Sequence, residues 1–188
     1  MATRIKRAGV AAALTLLAAT ALAGVAWAAN VIHCPNNRSE FLTCEGTAKN
    51  DVMYGTDKAD LIGGGRRGAD TLYGRGGNDE LGGDVGPDKV YGAPGDDWIA
   101  NSDSDYWFGE DENHGGPGDD RIVGQLMSEK HYGGRGSDTI TDYKSSKRPD
   151  TFRCGPAYDY VYYNKGLDKV ADDREFLWVA KPINVLPY

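Results

Sequence analysis

The sequence predicts an all-β fold: a right-handed parallel β-roll, a β-solenoid of 18 residues per coil, with N- and C-terminal caps. Three observations predict it. The stretches "GGPGDDRIV" (115–123) and "GGRGSDTIT" (133–141) both place Gly at positions one, two and four, Asp at six and Ile at eight. The mark Asp-x-apolar recurs along the chain at steps close to nine residues. The residue after each apolar mark alternates between aromatic and small: Tyr54, Gly63, Tyr73, Gly82, Tyr91, Ala100, Phe108. Self-similarity at a short fixed period marks a stacked repeat in which neighbours share one core. The alternation makes every second nonapeptide equivalent, so two nonapeptides close one coil, with strands on opposite walls.

Composition does not account for the repeat. The chain is rich in Gly, with 26. Even so, three Gly and one Asp at fixed offsets are expected only ~0.05 times, and average composition lowers that further.

Residues 1–28 are expected to be a signal peptide. Arg4, Lys6 and Arg7 precede the uncharged run "AGVAAALTLLAATALAGVAWA", and Ala26-Trp27-Ala28 offers a small-x-small cleavage site. The alternative is an uncleaved anchor, because the run is long enough to span a bilayer, although its Ala, Gly and Thr make it weakly apolar. No other segment has that length and character, so no stable membrane insertion is expected after cleavage. Residues 29–45 form an expected N-terminal cap. Cys34 and Cys44 lie ten apart in a segment bound for an oxidising compartment, which predicts a local disulfide. Cys154 is then either buried and free or paired between chains.

Residues 46–141 form the expected roll. The mark falls at Asp51-Val-Met53, Asp60-Leu-Ile62, Asp70-Thr-Leu72, Asp79-Glu-Leu81, Asp88-Lys-Val90, Asp97-Trp-Ile99 and Asp105-Tyr-Trp107, then, after an irregular stretch, at Asp120-Arg-Ile122 and Asp138-Thr-Ile140. Glu129-Lys-His131 holds the register midway between the last two in degraded form. Gly118 and Gly136 stand two residues before their Asp, and Gly115 and Gly133 five before. Glycine at fixed offsets points to positive φ or close backbone approach. Each nonapeptide therefore reads as a turn followed by a short strand. Met53, Leu72, Val90 and Trp107 are expected on one inner wall, and Ile62, Leu81 and Ile99 on the other. Residues 142–188 hold degenerate repeats at Asp150-Thr-Phe152, Asp159-Tyr-Val161 and Asp168-Lys-Val170. The final "FLWVAKPINVLPY" is the expected C-terminal cap.

The spacing stacks Asp51, Asp70, Asp88 and Asp105 on one edge and Asp60, Asp79 and Asp97 on the other. Stacked strands sit ~4.8 Å apart. Two carboxylates at that distance repel by roughly 1 kcal/mol in water and ~3–4 kcal/mol at an effective dielectric of 20. A divalent cation between successive Asp turns repulsion into attraction. The glycine turns leave carbonyl oxygens to complete its shell. Oxygen-only ligands in a flexible loop favour calcium over zinc or copper. Candidate metal residues are thus the side chains of those seven Asp with Asp120 and Asp138, and the turn glycines Gly115, Gly118, Gly133 and Gly136. Several Ca²⁺ ions are expected. Asp that served only to form turns would exchange freely with Asn, yet no copy has Asn at this place.

This nonapeptide resembles the RTX (hemolysin-type) calcium-binding repeat, from about Gly46 to Ile140. "CGPAYDYV" (154–161) and "DKVADDRE" (168–175) are similar to the tail of small stand-alone exported bacterial proteins with this repeat. In such tails a second Cys pairs with the first, and Arg174 stands in its place here. The resemblance implies Asp side chains and turn carbonyls as ligands, and folding that depends on calcium.

Other chemistry is sparse. The chain carries 28 acidic against 21 basic side chains, net −7, and cleavage after residue 28 removes three more positive charges. That balance disfavours nucleic acid and anionic lipid. G-x-S-x-G, H-E-x-x-H and phosphate-loop motifs are absent, so no enzyme is expected. "NSDSDYWFGEDE" (101–112) has EF-hand spacing, but Tyr106 stands at the required Gly, and an irregular extra calcium loop fits it better. Tyr54, Tyr73 and Tyr91 form an outward aromatic column, a candidate surface contact. The expected protein is secreted and binds calcium. The alternative is an extracellular adhesin that binds a glycan or protein partner, with calcium only structural.

Overall fold

The computed structural model describes residues 29–35, 44–101, 109–125, 127–141, 148–164 and 166–171. The expected signal peptide, the C-terminal cap, Asp105, Trp107 and Phe108 lie outside them. Short strands alternate between two parallel sheets in chain order. They are β1 (Asn30–His33), β2 (Cys44–Glu45), β3 (Asp51–Tyr54), β4 (Leu61–Gly63), β5 (Thr71–Tyr73), β6 (Glu80–Gly82), β7 (Lys89–Tyr91) and β8 (Trp98–Ala100), followed by β9 (Glu112–Pro117), β10 (Arg121–Val123), β11 (Lys130–Arg135), β12 (Thr139–Thr141), β13 (Thr151–Arg153), β14 (Tyr160–Tyr162) and β15 (Lys169–Val170). Odd strands stack in order from β1 to β15 as one sheet, and even strands from β2 to β14 as the other. The protein is therefore a parallel β-solenoid of two walls, as the alternation predicts.

Most strands point one apolar residue inward. One wall aligns Met53, Leu72 and Val90, and the other Ile62, Leu81, Ile99, Ile122, Ile140 and Val161, all at most 1% exposed. Burying one such side chain contributes roughly 1.5–3 kcal/mol. Three residues per strand cannot hold a sheet alone, so stability comes from the stack. Cys34 is bonded to Cys44, tying the end of β1 to the start of β2 at the head of the two walls. Cys44 takes the inward place in register with Ile62.

The first wall departs from expectation after Val90. The next inward residue is Asn113, not Trp107, because β7 pairs with β9 in the register Lys89–Glu112, Val90–Asn113, Tyr91–His114. His131 and then Phe152 follow. The coil here spans 23 residues against 18 for the one before it, with the extra length in the chain between β8 and β9.

Candidate metal centres in the turns

An acidic residue opens β3 and precedes every later strand, and the register stacks these acids in two columns. One holds Asp51, Asp70, Asp88, Asp111, Glu129, Asp150 and Asp168, at the head of the odd strands. The other holds Asp60, Asp79, Asp97, Asp120, Asp138 and Asp159, ahead of the even strands. The place after Asp88, expected for Asp105, belongs to Asp111, because the long coil shifts the column past the inserted residues. Counting nine back from Asp120 reaches Asp111. The mark missed it because Asn113 is not apolar.

The backbone ties each column together. The N–H of Asp70 donates to Asp88 Oδ1 at 2.8 Å, that of Asp79 to Asp97 Oδ1 at 2.8 Å, and that of Asp120 to Asp138 Oδ1 at 2.9 Å. The carboxylates are thus held at coil spacing and cannot swing to solvent. Asp70, Asp79, Asp97, Asp120, Asp138, Asp150 and Asp159 are at most 3% exposed. In each, Oδ2 is buried without a hydrogen-bond partner. A buried polar atom left unmatched costs ~1–3 kcal/mol, and more when charged.

The glycine five residues earlier explains where that oxygen lies. A Cβ on Gly74, Gly92, Gly115 or Gly133 would strike Oδ2 of the Asp in its own turn, Asp79, Asp97, Asp120 or Asp138. The same Cβ would also strike a carbonyl oxygen of the next coil, that of Gly92, Gly115, Gly133 or Cys154 respectively. Glycine leaves a small cradle between a carboxylate and a carbonyl. Gly118 and Gly136 serve differently. Their φ values of 146° and 126° suit glycine, and a Cβ on either would strike the Gly95 or Gly118 carbonyl of the preceding coil.

Burial sets the electrostatics. Desolvation pushes the Asp70, Asp79 and Asp120 carboxyls up from 3.8 to about 7 and Asp138 to about 8, against the lowering effect of a backbone hydrogen bond. Neighbouring acids in the column raise each further: Asp51 and Asp84 act on Asp70, and Asp159, Asp120 and Asp119 on Asp138. Asp150 also rises to about 7, through burial first and then Glu129 and Asp168. Asp97 is raised by desolvation as well.

These columns suit a hard cation. The donors are carboxylate and carbonyl oxygens, fixed in place and short of partners. Among the described residues no three His, Cys, Asp or Glu side chains converge on one point. Any ion must therefore draw on backbone oxygens beside the acids, as the cradles allow. A family model for the RTX calcium-binding nonapeptide repeat matches the chain in four copies, at residues 45–81, 65–90, 83–103 and 114–126. These are RTX calcium-binding nonapeptide repeats. No curated protein and no solved structure matches the chain significantly. The RTX match ends at residue 126. Beyond it, Asp138, Asp150, Asp159 and Asp168 belong to the columns on structural grounds.

The first turns of the RTX roll are closed differently. The Thr47 hydroxyl donates to Asp51 Oδ2 and the Thr56 hydroxyl to Asp60 Oδ2, both at 2.9 Å, with the backbone N–H of each Thr adding a second bond. The sequence shows Thr four residues before each of these acids. That spacing is the signal that could have separated them from the others.

The outward aromatic column is longer than the three Tyr predicted. His33, Tyr54, Tyr73, Tyr91, His114 and Tyr132 stack with centroids 4.3–5.3 Å apart and interplanar angles of 3–19°. Arg153 lies over the Tyr132 ring. The rings turn their faces to one another along the column. Cys154 is a fully buried thiol within the core.

Proposed function

We propose that this chain is an exported calcium-binding protein, with several ions held between successive turns and their uptake coupled to folding. One observation carries the reading: the buried Oδ2 of Asp79, Asp97, Asp120 and Asp138 each faces a carbonyl of the next coil across a glycine cradle. The side chains of these acids, with Asp70, Asp150 and Asp159, would supply the charge, and the carbonyls of Gly92, Gly115, Gly133 and Cys154 would complete the shell. Calcium accepts such mixed oxygen ligands at flexible geometry, and its charge offsets the desolvation of the carboxylates. Without it the column would have to bind protons or open.

Export draws on the leader-like residues 1–28 and on the Cys34–Cys44 disulfide, a bond suited to an oxidising compartment. RTX repeats build a structural roll, and we assign no catalytic role. The adhesin reading rests on the aromatic column. Sugar platforms present ring faces to the ligand, and here those faces are occupied by neighbouring rings, so the column acts first as a brace for the wall. The test is a far-UV circular-dichroism titration of the metal-stripped chain with calcium, and magnesium as control. A cooperative gain of β signal with calcium alone is expected. An identical spectrum and melting point in excess chelator and in calcium would overturn the reading.

A further inference from the structure

Two acids of the odd-strand column have carboxylates that the core itself engages. Behind them, three polar residues interrupt the apolar interior. Asn101, Asn113 and His131 are at most 1% exposed. They form one directed chain of hydrogen bonds. The Gly83 N–H donates to Asn101 Oδ1 at 2.8 Å, and Asn101 Nδ2 donates to Asp111 Oδ2 at 2.9 Å and to Asn113 Oδ1 at 3.1 Å. Asn113 Nδ2 lies 3.4 Å from His131 Nδ1, and His131 Nε2 lies 3.0 Å from Glu129 Oε2. Because the Asn113 amide donates to Nδ1, the ring hydrogen sits on Nε2, which lies beside Glu129 without making a hydrogen bond. The Gln125 N–H donates to both Glu129 carboxylate oxygens, at 2.9 and 3.0 Å. Asp111 Oδ1 takes the Asp88 N–H at 2.8 Å.

Both oxygens of Asp111 and both of Glu129 are therefore engaged by protein donors. Neither residue belongs with the acids whose Oδ2 lacks a partner. We propose that protein donors replace metal at two consecutive turns, the Asn101 amide and Asp88 N–H at Asp111 and the Gln125 N–H at Glu129, so that the odd-strand ion column is interrupted there while the even-strand column runs unbroken from Asp79 to Asp159. The proposal rests on the calcium reading above and adds where ions do not bind. It explains why Asn113 and His131 occupy inward places that Val90 and Phe152 hold in adjoining coils. Asn113 Oδ1 accepts from the same Asn101 amide that donates to Asp111, and so holds that donor in place. The consequence is two blocks of ions on that edge, coupled through the other edge alone.

The experiment counts calcium ions bound per chain by equilibrium dialysis. Asp111→Asn and Glu129→Gln are expected to keep the wild-type count, whereas Asp120→Asn and Asp138→Asn each lower it by at least one. An equal loss in Glu129→Gln and Asp138→Asn overturns the interruption and leaves the calcium reading standing. A wild-type chain that binds no calcium removes both. If either amide variant fails to fold, the reverse change decides. The triple variant Glu129→Asp, Asn113→Val, His131→Ile restores the repeat pattern and is expected to bind one ion more than wild type. An unchanged count in that variant refutes the proposal.

Discussion

Raising the pH should unfold the metal-free chain, opposite to the usual behaviour of surface carboxylates. The perturbation is titration of the stripped protein from pH 4 to pH 8. Asp70, Asp79, Asp120 and Asp150 rise from 3.8 to about 7 and Asp138 to about 8, chiefly through desolvation. A folded-state pKa above the unfolded one means that the unfolded chain ionises first. The penalty is absent below pH ~4, grows as the unfolded chain loses its protons, and is complete once pH passes the folded values near 7–8. A pKa moved from 3.8 to about 7 corresponds to ~4 kcal/mol against the ionised form. Stacked neighbours share part of that cost, so we take ~2 kcal/mol for each and ~10 kcal/mol for the five, comparable to the whole stability of a domain. The assay is thermal melting followed by far-UV circular dichroism, with and without saturating calcium. The metal-free chain should melt highest near pH 4 and lose its transition by pH 8. The calcium-loaded chain should melt high at pH 7–8 and weaken on acidification. A metal-free melting temperature that stays flat or climbs from pH 4 to 8 would refute the reasoning.

Other outcomes follow from single contacts. Asp138→Asn should have opposite effects in the two states, raising the melting point of the stripped protein at pH 8 and lowering calcium affinity, as calorimetric titration would read. Gly115→Ala should destabilise the calcium-loaded roll by about 1–3 kcal/mol in urea unfolding, since its Cβ meets the Asp120 carboxylate and the Gly133 carbonyl. Gly76→Ala, whose Cβ would lie 3.7 Å from its nearest neighbour, should stay within ~0.5 kcal/mol of wild type. Leu72→Ala, fully buried on its wall, should cost about 2–5 kcal/mol in the same unfolding experiment. Tyr73→Ser removes two stacking contacts, to Tyr54 and Tyr91, at about 0.5–1.5 kcal/mol each, and the melting temperature should fall accordingly.

The period alone determined most of this protein. Asp-x-apolar at nine-residue steps assigns Met53, Leu72 and Val90 to one wall and Ile62, Leu81 and Ile99 to the other, because strand side chains alternate and coils repeat. It also places Asp79, Asp97, Asp120 and Asp138 in line, and the glycines before them follow from the space a carboxylate needs. Tertiary structure decided what periodicity cannot carry. It replaced Asp105 with Asp111, because an insertion has no period and only strand pairing shows which acid re-enters the stack. It extended the aromatic column through His33, His114 and Tyr132, since stacking depends on ring position rather than on a hydrophobic label. It also separated acids with a bare oxygen from Asp111 and Glu129, whose oxygens are met by Asn101 and Asp88 and by Gln125. Sequence spacing fixes where a carboxylate sits along the coil. Only three-dimensional packing determines what faces it across the core.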